Sequence, residues 1–388
     1  MKIGMFSDSY RPYTSGVVRS LETFKDELKV MGHEVNIFAP NYPNCEKEPD
    51  VHRFFSIPAP TNKDFTLAIP FSVGMLSKLK KLNLDIIHVH SPFLLGRLGA
   101  RYARKLGIPL VFTYHTLYDK YVHYVPIGQN VTKEITQKFA NDFCNQCDQV
   151  IVPTNVIVQR LKKQGVVVPV EAVPTGIYTK EFRTADKDWL SNKYNISKDK
   201  KIMLFVGRIG QEKNIEFLLN SFIKTNQADQ DTVLVLVGSG PEEEKIRQKV
   251  KIYNLQQNVI FTGTLPKPEV VKAYAGADLF VFASVTETQG LVIAEAKAAG
   301  LPVVAVDAYG VSEMVENGED GFLCPLDINV FSNAVLKILN DSNLRDLMGQ
   351  NALENAEKLS SRNCARKLLS VYERLIYSDH RKGDRLHG

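Results

Sequence analysis

Apolar residues along the chain fall into short continuous runs, separated by longer stretches in which they recur at helical spacing. In the first half the runs cover residues 2–6, 35–39, 51–54, 85–89, 110–113 and 149–152. In the second half they cover 202–206, 233–237, 259–262, 278–282 and 302–306. Most are uninterrupted Val, Ile, Leu and Phe rather than alternating, the pattern of parallel strands covered by helices on both faces. The predicted fold class is therefore α/β, with two doubly wound Rossmann-like domains at residues 1–178 and 179–388. The seam is expected at Val173-Pro174-Thr175-Gly176, followed by a polar stretch over 179–201. A last helix over about 362–378 is expected to return toward the N-terminal domain. Ligands of open parallel sheets sit beyond the carboxyl ends of the strands, so the predicted site is a cleft across which the two domains face each other.

Composition agrees with two globular cores: 388 residues, 44 % hydrophobic and 23 % charged. No window approaches the ~18 apolar residues of a membrane span. Met1-Lys2-Ile3-Gly4-Met5-Phe6 reads as a first strand and not as a secretory leader, so a cytoplasmic location is expected. Five cysteines make no disulfide framework. Cys144 and Cys147 form a CxxC pair, but the other three are isolated and offer no second pair for zinc, so both read as core residues. Charge is uneven: residues 1–180 carry a net +7 and the remainder −2. The first half thus suits an anionic partner, whether membrane, nucleic acid or a phosphorylated acceptor. Nucleic acid is disfavoured, because no stacking aromatics interleave with the basic residues.

Three segments carry candidate chemistry. After the run at 278–282 comes Glu287-Thr288-Gln289-Gly290-Leu291-Val292-Ile293-Ala294-Glu295, two carboxylates around a glycine-marked helix start. Unpaired first-turn amides at Gln289, Gly290 and Leu291 would seat a phosphate or sugar hydroxyl, with Glu295 about two turns into the helix. After the run at 202–206, Arg208 and Lys213 leave the sheet beside Gly207 and Gly210, where two cations can hold a diphosphate without a metal. After the first strand, Pro12-Tyr13-Thr14-Ser15-Gly16-Val17-Val18 leads through a glycine turn into a helix, another place for amides to meet phosphate. None of the three is a GxGxxG or P-loop motif, which argues against dinucleotide binding and ATP hydrolysis. Gly238-Ser239-Gly240-Pro241 is a weak further turn. Asp186/Asp188 and Asp229/Asp231 match Asp-x-Asp, but neither pair follows a strand, so no metal site is predicted.

Taken together, these segments resemble retaining glycosyltransferase family four, of GT-B fold, over nearly the whole chain. Glu287 and Glu295 match its E-x7-E motif, Arg208 and Lys213 its diphosphate clamp, and Gly16 the glycine of its first loop. Pro174-Thr175-Gly176-Ile177 matches its Pro-Asn-Gly-Val turn with Thr for Asn. The resemblance implies that Glu295 holds the ribose and Glu287 the donor sugar, while Arg208, Lys213 and the amides of Gln289–Leu291 hold the diphosphate. It implies that His115 faces the donor sugar; Asp8 and His90, which also end strands in the first half, are second-rank candidates. It further implies a nucleotide-sugar donor, with no cofactor required, and acceptor attack on the face the leaving group vacates.

The acceptor is less legible. Met75, Leu76, Leu79 and Leu82 line one side of a helix whose Lys78 and Lys81 lie opposite, with Lys80 nearby and Phe71 just before it. This is the pattern of a helix on an anionic membrane, and equally of one packed on its own domain. Arg97, Arg101 and Arg104 form a second basic stripe. The runs Leu84-Asp85-Ile86-Ile87-His88-Val89-His90-Ser91-Pro92-Phe93 and Tyr114-His115-Thr116-Leu117-Tyr118-Asp119-Lys120-Tyr121-Val122-His123-Tyr124 resemble the diacylglycerol-glucosylating branch of the family. That branch implies UDP-glucose, a diacylglycerol or related lipid acceptor, and docking on the inner face of the cell membrane. The alternatives are a soluble or lipid-linked oligosaccharide acceptor, a nucleotide-sugar epimerase, and a non-catalytic nucleotide-sugar-binding protein.

Overall fold

The computed structural model describes residues 1–43, 45–59, 62–118 and 129–386. Contacts divide the chain into two compact units, Met1–Gly176 with Ser361–Gly388, and Ile177–Ser360. The expected division lay after residue 178; here the chain also crosses back at Ser360–Ser361, so the last helix belongs with the first unit.

Unit 1 runs β1 (Lys2–Phe6), α1 (Gly16–Val30), β2 (Glu34–Pro40), β3 (Val51–Phe54), β4 (Ser56–Ala59), β5 (Asn62–Ala68), α2 (Met75–Leu82), β6 (Ile86–Val89), α3 (Leu94–Leu106), β7 (Leu110–Thr113), α4 (Gln129–Cys144), β8 (Gln149–Val152), α5 (Asn155–Lys163) and β9 (Val170–Ala172). Its parallel sheet has the order β3-β2-β1-β6-β7-β8-β9. Both faces of its central strands are buried: Ile3, Met5, Ile86 and Val111 on one side, and Phe6, Ile87 and Phe112 on the other, are fully covered. Helix α3 lies close on the sheet through glycine, since a Cβ on Gly99 would come within 2.8 Å of Val89 and 2.9 Å of Phe6.

Unit 2 runs α6 (Thr179–Arg183), α7 (Trp189–Tyr194), β10 (Lys201–Val206), α8 (Ile215–Ala228), β11 (Thr232–Val237), α9 (Glu243–Ile252), β12 (Val259–Gly263), α10 (Lys267–Ala275), β13 (Leu279–Phe282), α11 (Leu291–Ala298), β14 (Val303–Val306), β15 (Gly321–Cys324), α12 (Ile328–Leu339) and α13 (Ser342–Lys358). Its sheet is also parallel, in the order β12-β11-β10-β13-β14-β15. Helix α14 (Ser361–Leu386) packs on α1 in unit 1, where Cys364, Leu368, Val371 and Tyr372 join that core.

Two differences from the sequence reading have plain causes. Phe65 and Leu67 belong to β5 of an antiparallel β4–β5 hairpin, a pair of strands that the predicted runs do not include. The alternation Phe65, Leu67, Ile69, Phe71 carried that period-two signal. The polar stretch over 179–201 holds the two short helices α6 and α7, whose Phe182 and Leu190 anchor them in the core of unit 2.

Candidate active site

In unit 2 the chain builds outward from β10 to β12, then restarts at β13 on the other side of β10. The strand order reverses between these neighbours, and loops leaving such a reversal diverge to open a crevice. Arg208 and Lys213 follow β10, and Glu287 and Glu295 follow β13. The Lys213 ammonium pairs with Glu287 Oε1 and lies 5.8 Å from the Phe282 ring centroid. The Ser284 hydroxyl sits 3.0 Å from both Glu287 Oε1 and the carbonyl of Glu212, so it ties the two loops together. Arg208 is exposed at the end of β10.

The loops are held in place by close backbone contacts. A Cβ on Gly238 would lie 2.0 Å from the carbonyl oxygen of Gly207, and one on Gly240 2.3 Å from that of Ile209. The Ile209 amide donates to the Ser239 carbonyl at 3.0 Å. The turn that looked weak as a motif therefore keys the β10 loop into position. On the other side, the Gly310 amide donates to the carbonyl of Glu287 at 3.0 Å.

Gly290 stands at φ +89° and starts α11 at Leu291, which places the amides of Gln289, Gly290 and Leu291 at the helix entrance. Glu295 lies one turn into α11, not two, because the helix starts four residues after Glu287. Its carboxylate is buried and accepts a 2.9 Å hydrogen bond from the Tyr274 hydroxyl. Two residues on, Lys297 forms a buried ion pair with Asp320 at 2.5 Å and donates to the carbonyl of Met314, fixing α11. Sequence reasoning missed Ser284, Tyr274 and Lys297. A polar residue closing an apolar strand was the available signal for Ser284; the other two are ordinary helix positions in the sequence.

Unit 1 has its own reversal, between β1 and β6. Asp8 follows β1, His90 follows β6, and His115 follows β7. Asp8 accepts from the Leu95 amide at 2.8 Å and from the Ser91 hydroxyl, and burial raises its pKa above the usual carboxylate value. His90 Nδ1 lies 2.9 Å from His115 Nε2, with the rings stacked at 5.2 Å between centroids. His88, beneath them in β6, contacts the Tyr372 hydroxyl at 2.5 Å and Thr113 Oγ1 at 2.6 Å. Burial pushes His88 and His115 down to about 3 and His90 well below its ordinary value, so the cluster is neutral at pH 7. Gly16 is the exposed first residue of α1, and a Cβ there would meet nothing within 4 Å. The Thr175 hydroxyl, standing where the motif has Asn, donates to Ser20 Oγ at 2.9 Å.

The basic candidates divide. Lys78, Lys80 and Lys81 are exposed on α2, whose Met75 and Leu79 are buried in unit 1, so the apolar side of that helix is a packing face. The exposed apolar residues precede it: Phe71 is 73 % and Val73 88 % accessible. Arg97, Arg101 and Arg104 are exposed along α3. Cys144 and Cys147 are both buried. In the run that resembles the lipid branch, residues 119–124 lie outside the described residues. Among the described residues no helix is long and apolar enough to cross a membrane.

The model for Glycosyltransferase Family 4 matches residues 14–181, and that for Glycosyl transferases group 1 matches residues 186–355. The alpha-monoglucosyldiacylglycerol synthase of Acholeplasma laidlawii is 30 % identical over 399 residues, covering 98 % of this chain and 99 % of that one. The chain belongs to glycosyltransferase family four. The synthase of the same name from Streptococcus pneumoniae is 35 % identical over 312 residues, 79 % of this chain and 71 % of its own. The sucrose-phosphate synthase of Thermosynechococcus elongatus superposes with a TM-score of 0.80 at 24 % identity, covering 97 % of this chain and all of that one. Anabaena HepE, solved in complex with UDP-glucose, superposes with a TM-score of 0.77 at 18 % identity, covering 97 % of this chain and all of HepE. These two likenesses are of fold. The chain is thus a GT-B hexosyltransferase with two Rossmann-like units.

Proposed function

We propose that this glycosyltransferase moves glucose from UDP-glucose to the 3-hydroxyl of 1,2-diacylglycerol, with retention, while bound peripherally to the inner face of the cell membrane. The observation that carries the donor half is the convergence of Arg208, Lys213, Glu287 and the α11 entrance at the strand-order reversal of unit 2. A nucleoside diphosphate fits that constellation. Arg208 and Lys213 neutralise its charge as it leaves, the amides at Gln289–Leu291 receive its oxygens, and Glu295 takes the ribose hydroxyls. Glu287 holds the hydroxyls of the sugar. The neutral His115 offers a carbonyl or imidazole lone pair to positive charge growing on the anomeric carbon. Gly16 keeps the start of α1 open to close approach of the donor. No cofactor has a part in this scheme.

The acceptor half is supported by the two relatives named as diacylglycerol glucosylating enzymes. It is supported also by the exposed Phe71 and Val73 beside Lys78, Lys80 and Lys81, apolar and basic groups together as a lipid surface requires. Arg97, Arg101 and Arg104 extend that basic surface. Incubation with radiolabelled UDP-glucose and diacylglycerol in micelles containing anionic lipid tests the reading. A labelled glycolipid is expected; UDP-glucose that binds without yielding one would overturn the acceptor half.

A further inference from the structure

Unit 1 contains an apolar groove of 490 Å³ running along α3, a size within the roughly 300–1,000 Å³ of small-molecule pockets. Phe65 and Leu67 of β5 form one wall, and Phe93, just before α3, with Leu94 and Leu98 of α3 the other. Phe139 of α4 stacks on Phe93 at 5.7 Å and carries the Arg97 guanidinium 4.1 Å above its ring. Polarity along the groove is graded. Asp8 lies at the start of α3, through its bond from the Leu95 amide, and Arg97 and Arg101 follow one and two turns further on.

That gradient selects an occupant. A carboxylate has about four acceptor sites, and two on Asp8 are engaged by Leu95 and Ser91, which leaves room to accept from a hydroxyl. The same carboxylate disfavours a phosphate at that end. Asp8 also follows β1 at the strand-order reversal of unit 1, where ligands of such sheets bind. Arg97 and Arg101, fixed positive charges beside the apolar walls, suit a molecule drawn from an anionic lipid surface and not a free hydrocarbon.

We propose that this groove holds one acyl chain of the acceptor lipid, with the acceptor hydroxyl at Asp8. The proposal rests on the lipid-acceptor reading above, and the experiment separates the two. A diacylglycerol carrying a diazirine at the end of one acyl chain is photolysed with the whole protein, and the adducts are mapped by mass spectrometry. Adducts within residues 65–70 and 93–101 are expected. In parallel, dioctanoylglycerol and dibutyrylglycerol are compared as monomeric acceptors. Leu94→Trp, and Leu67→Trp on the opposite wall, are each expected to lower the preference for the longer acceptor by about tenfold, the worth of burying one to two methylenes. UDP-glucose affinity serves as the check that the variants are folded. Adducts elsewhere, or an unchanged chain-length preference in both variants, overturn the groove. Adducts at the groove without glucose transfer uphold it as a lipid site and overturn the acceptor reading alone.

Discussion

Lys213 and Glu287, 74 residues apart, meet as an ion pair at the carboxyl ends of two neighbouring strands. On the proposed reading the donor lies between the loops that carry them, and Lys213 would then serve two partners: Glu287, with which it pairs, and the diphosphate. Removing it releases the Glu287 carboxylate from its ion pair and, on that reading, takes a positive charge from the leaving group.

Lys213→Ala and Arg208→Ala are expected to lower kcat by about 10²- to 10³-fold, the usual effect of losing one group that stabilises transition-state charge. Donor KM should change far less. Steady-state kinetics at saturating acceptor separates the two parameters, and an unaltered kcat removes the residue from the reaction.

Glu295→Ala is expected to weaken UDP-glucose binding by ~1–3 kcal/mol through lost ribose hydrogen bonds. Tyr274→Phe removes the hydroxyl that donates to Glu295 at 2.9 Å and should weaken binding by up to about 1 kcal/mol. Calorimetric titration measures both, and equal affinity in all three proteins would take Glu295 out of the donor site.

Much of this was readable from residues alone. The apolar runs located the parallel strands because strands buried on both faces have no polar alternation to blur them, as in 202–206 and 233–237. The edge strands β9 and β15 escaped notice. Each is short, and Val170–Ala172 contains a glutamate. The candidate donor residues stood out because glycines and charges follow strand ends at fixed offsets. What the sequence withheld was pairing across the fold. Nothing local to Tyr274 or Lys297 announces that each braces a residue on another segment, and the polar end of the β13 run at Ser284 does not say which segment it ties down. The ambiguity of α2 was of the same kind, since its pattern serves a membrane or a core alike. Burial of Met75 and Leu79 assigns its apolar side to packing and leaves Phe71 and Val73 as the exposed apolar pair.

The histidine cluster makes stability pH-dependent. Native values of about 3 for His88 and His115 lie below the ~6.5 of an unfolded histidine. Between those limits the unfolded chain binds protons that the native cluster refuses, so stability falls as pH drops from about 6.5 toward 3. The slope is roughly 1.4 kcal/mol per pH unit for each histidine. Above pH 7 both states are neutral and the contribution is flat. Urea midpoints at pH 7.5 and 5.0 should show the loss, and His88→Gln should reduce it by one histidine's share. Identical pH dependence in the variant would contradict the assignment.

Lys297→Ala leaves the fully buried Asp320 carboxylate without its cation, which typically costs about 3–5 kcal/mol. Because Lys297 shares α11 with Glu295, donor affinity should fall along with the denaturation midpoint. A midpoint within the error of the wild type would show that Asp320 is compensated elsewhere.

Replacing Lys78, Lys80 and Lys81 with Ser should weaken binding to anionic vesicles by up to about 1 kcal/mol per lysine, with little effect on neutral vesicles. Flotation in low salt measures it. Unchanged flotation would confine those lysines to a solvated surface.

The most direct test of the account is the structure of the product. Wild-type protein is incubated with UDP-glucose and diacylglycerol, and the glycolipid is examined by proton NMR. The account predicts UDP and an α-linked glucosyl diacylglycerol substituted at the 3-hydroxyl, the configuration of the donor preserved. A β-linked product, or free glucose with the diacylglycerol untouched, would contradict it.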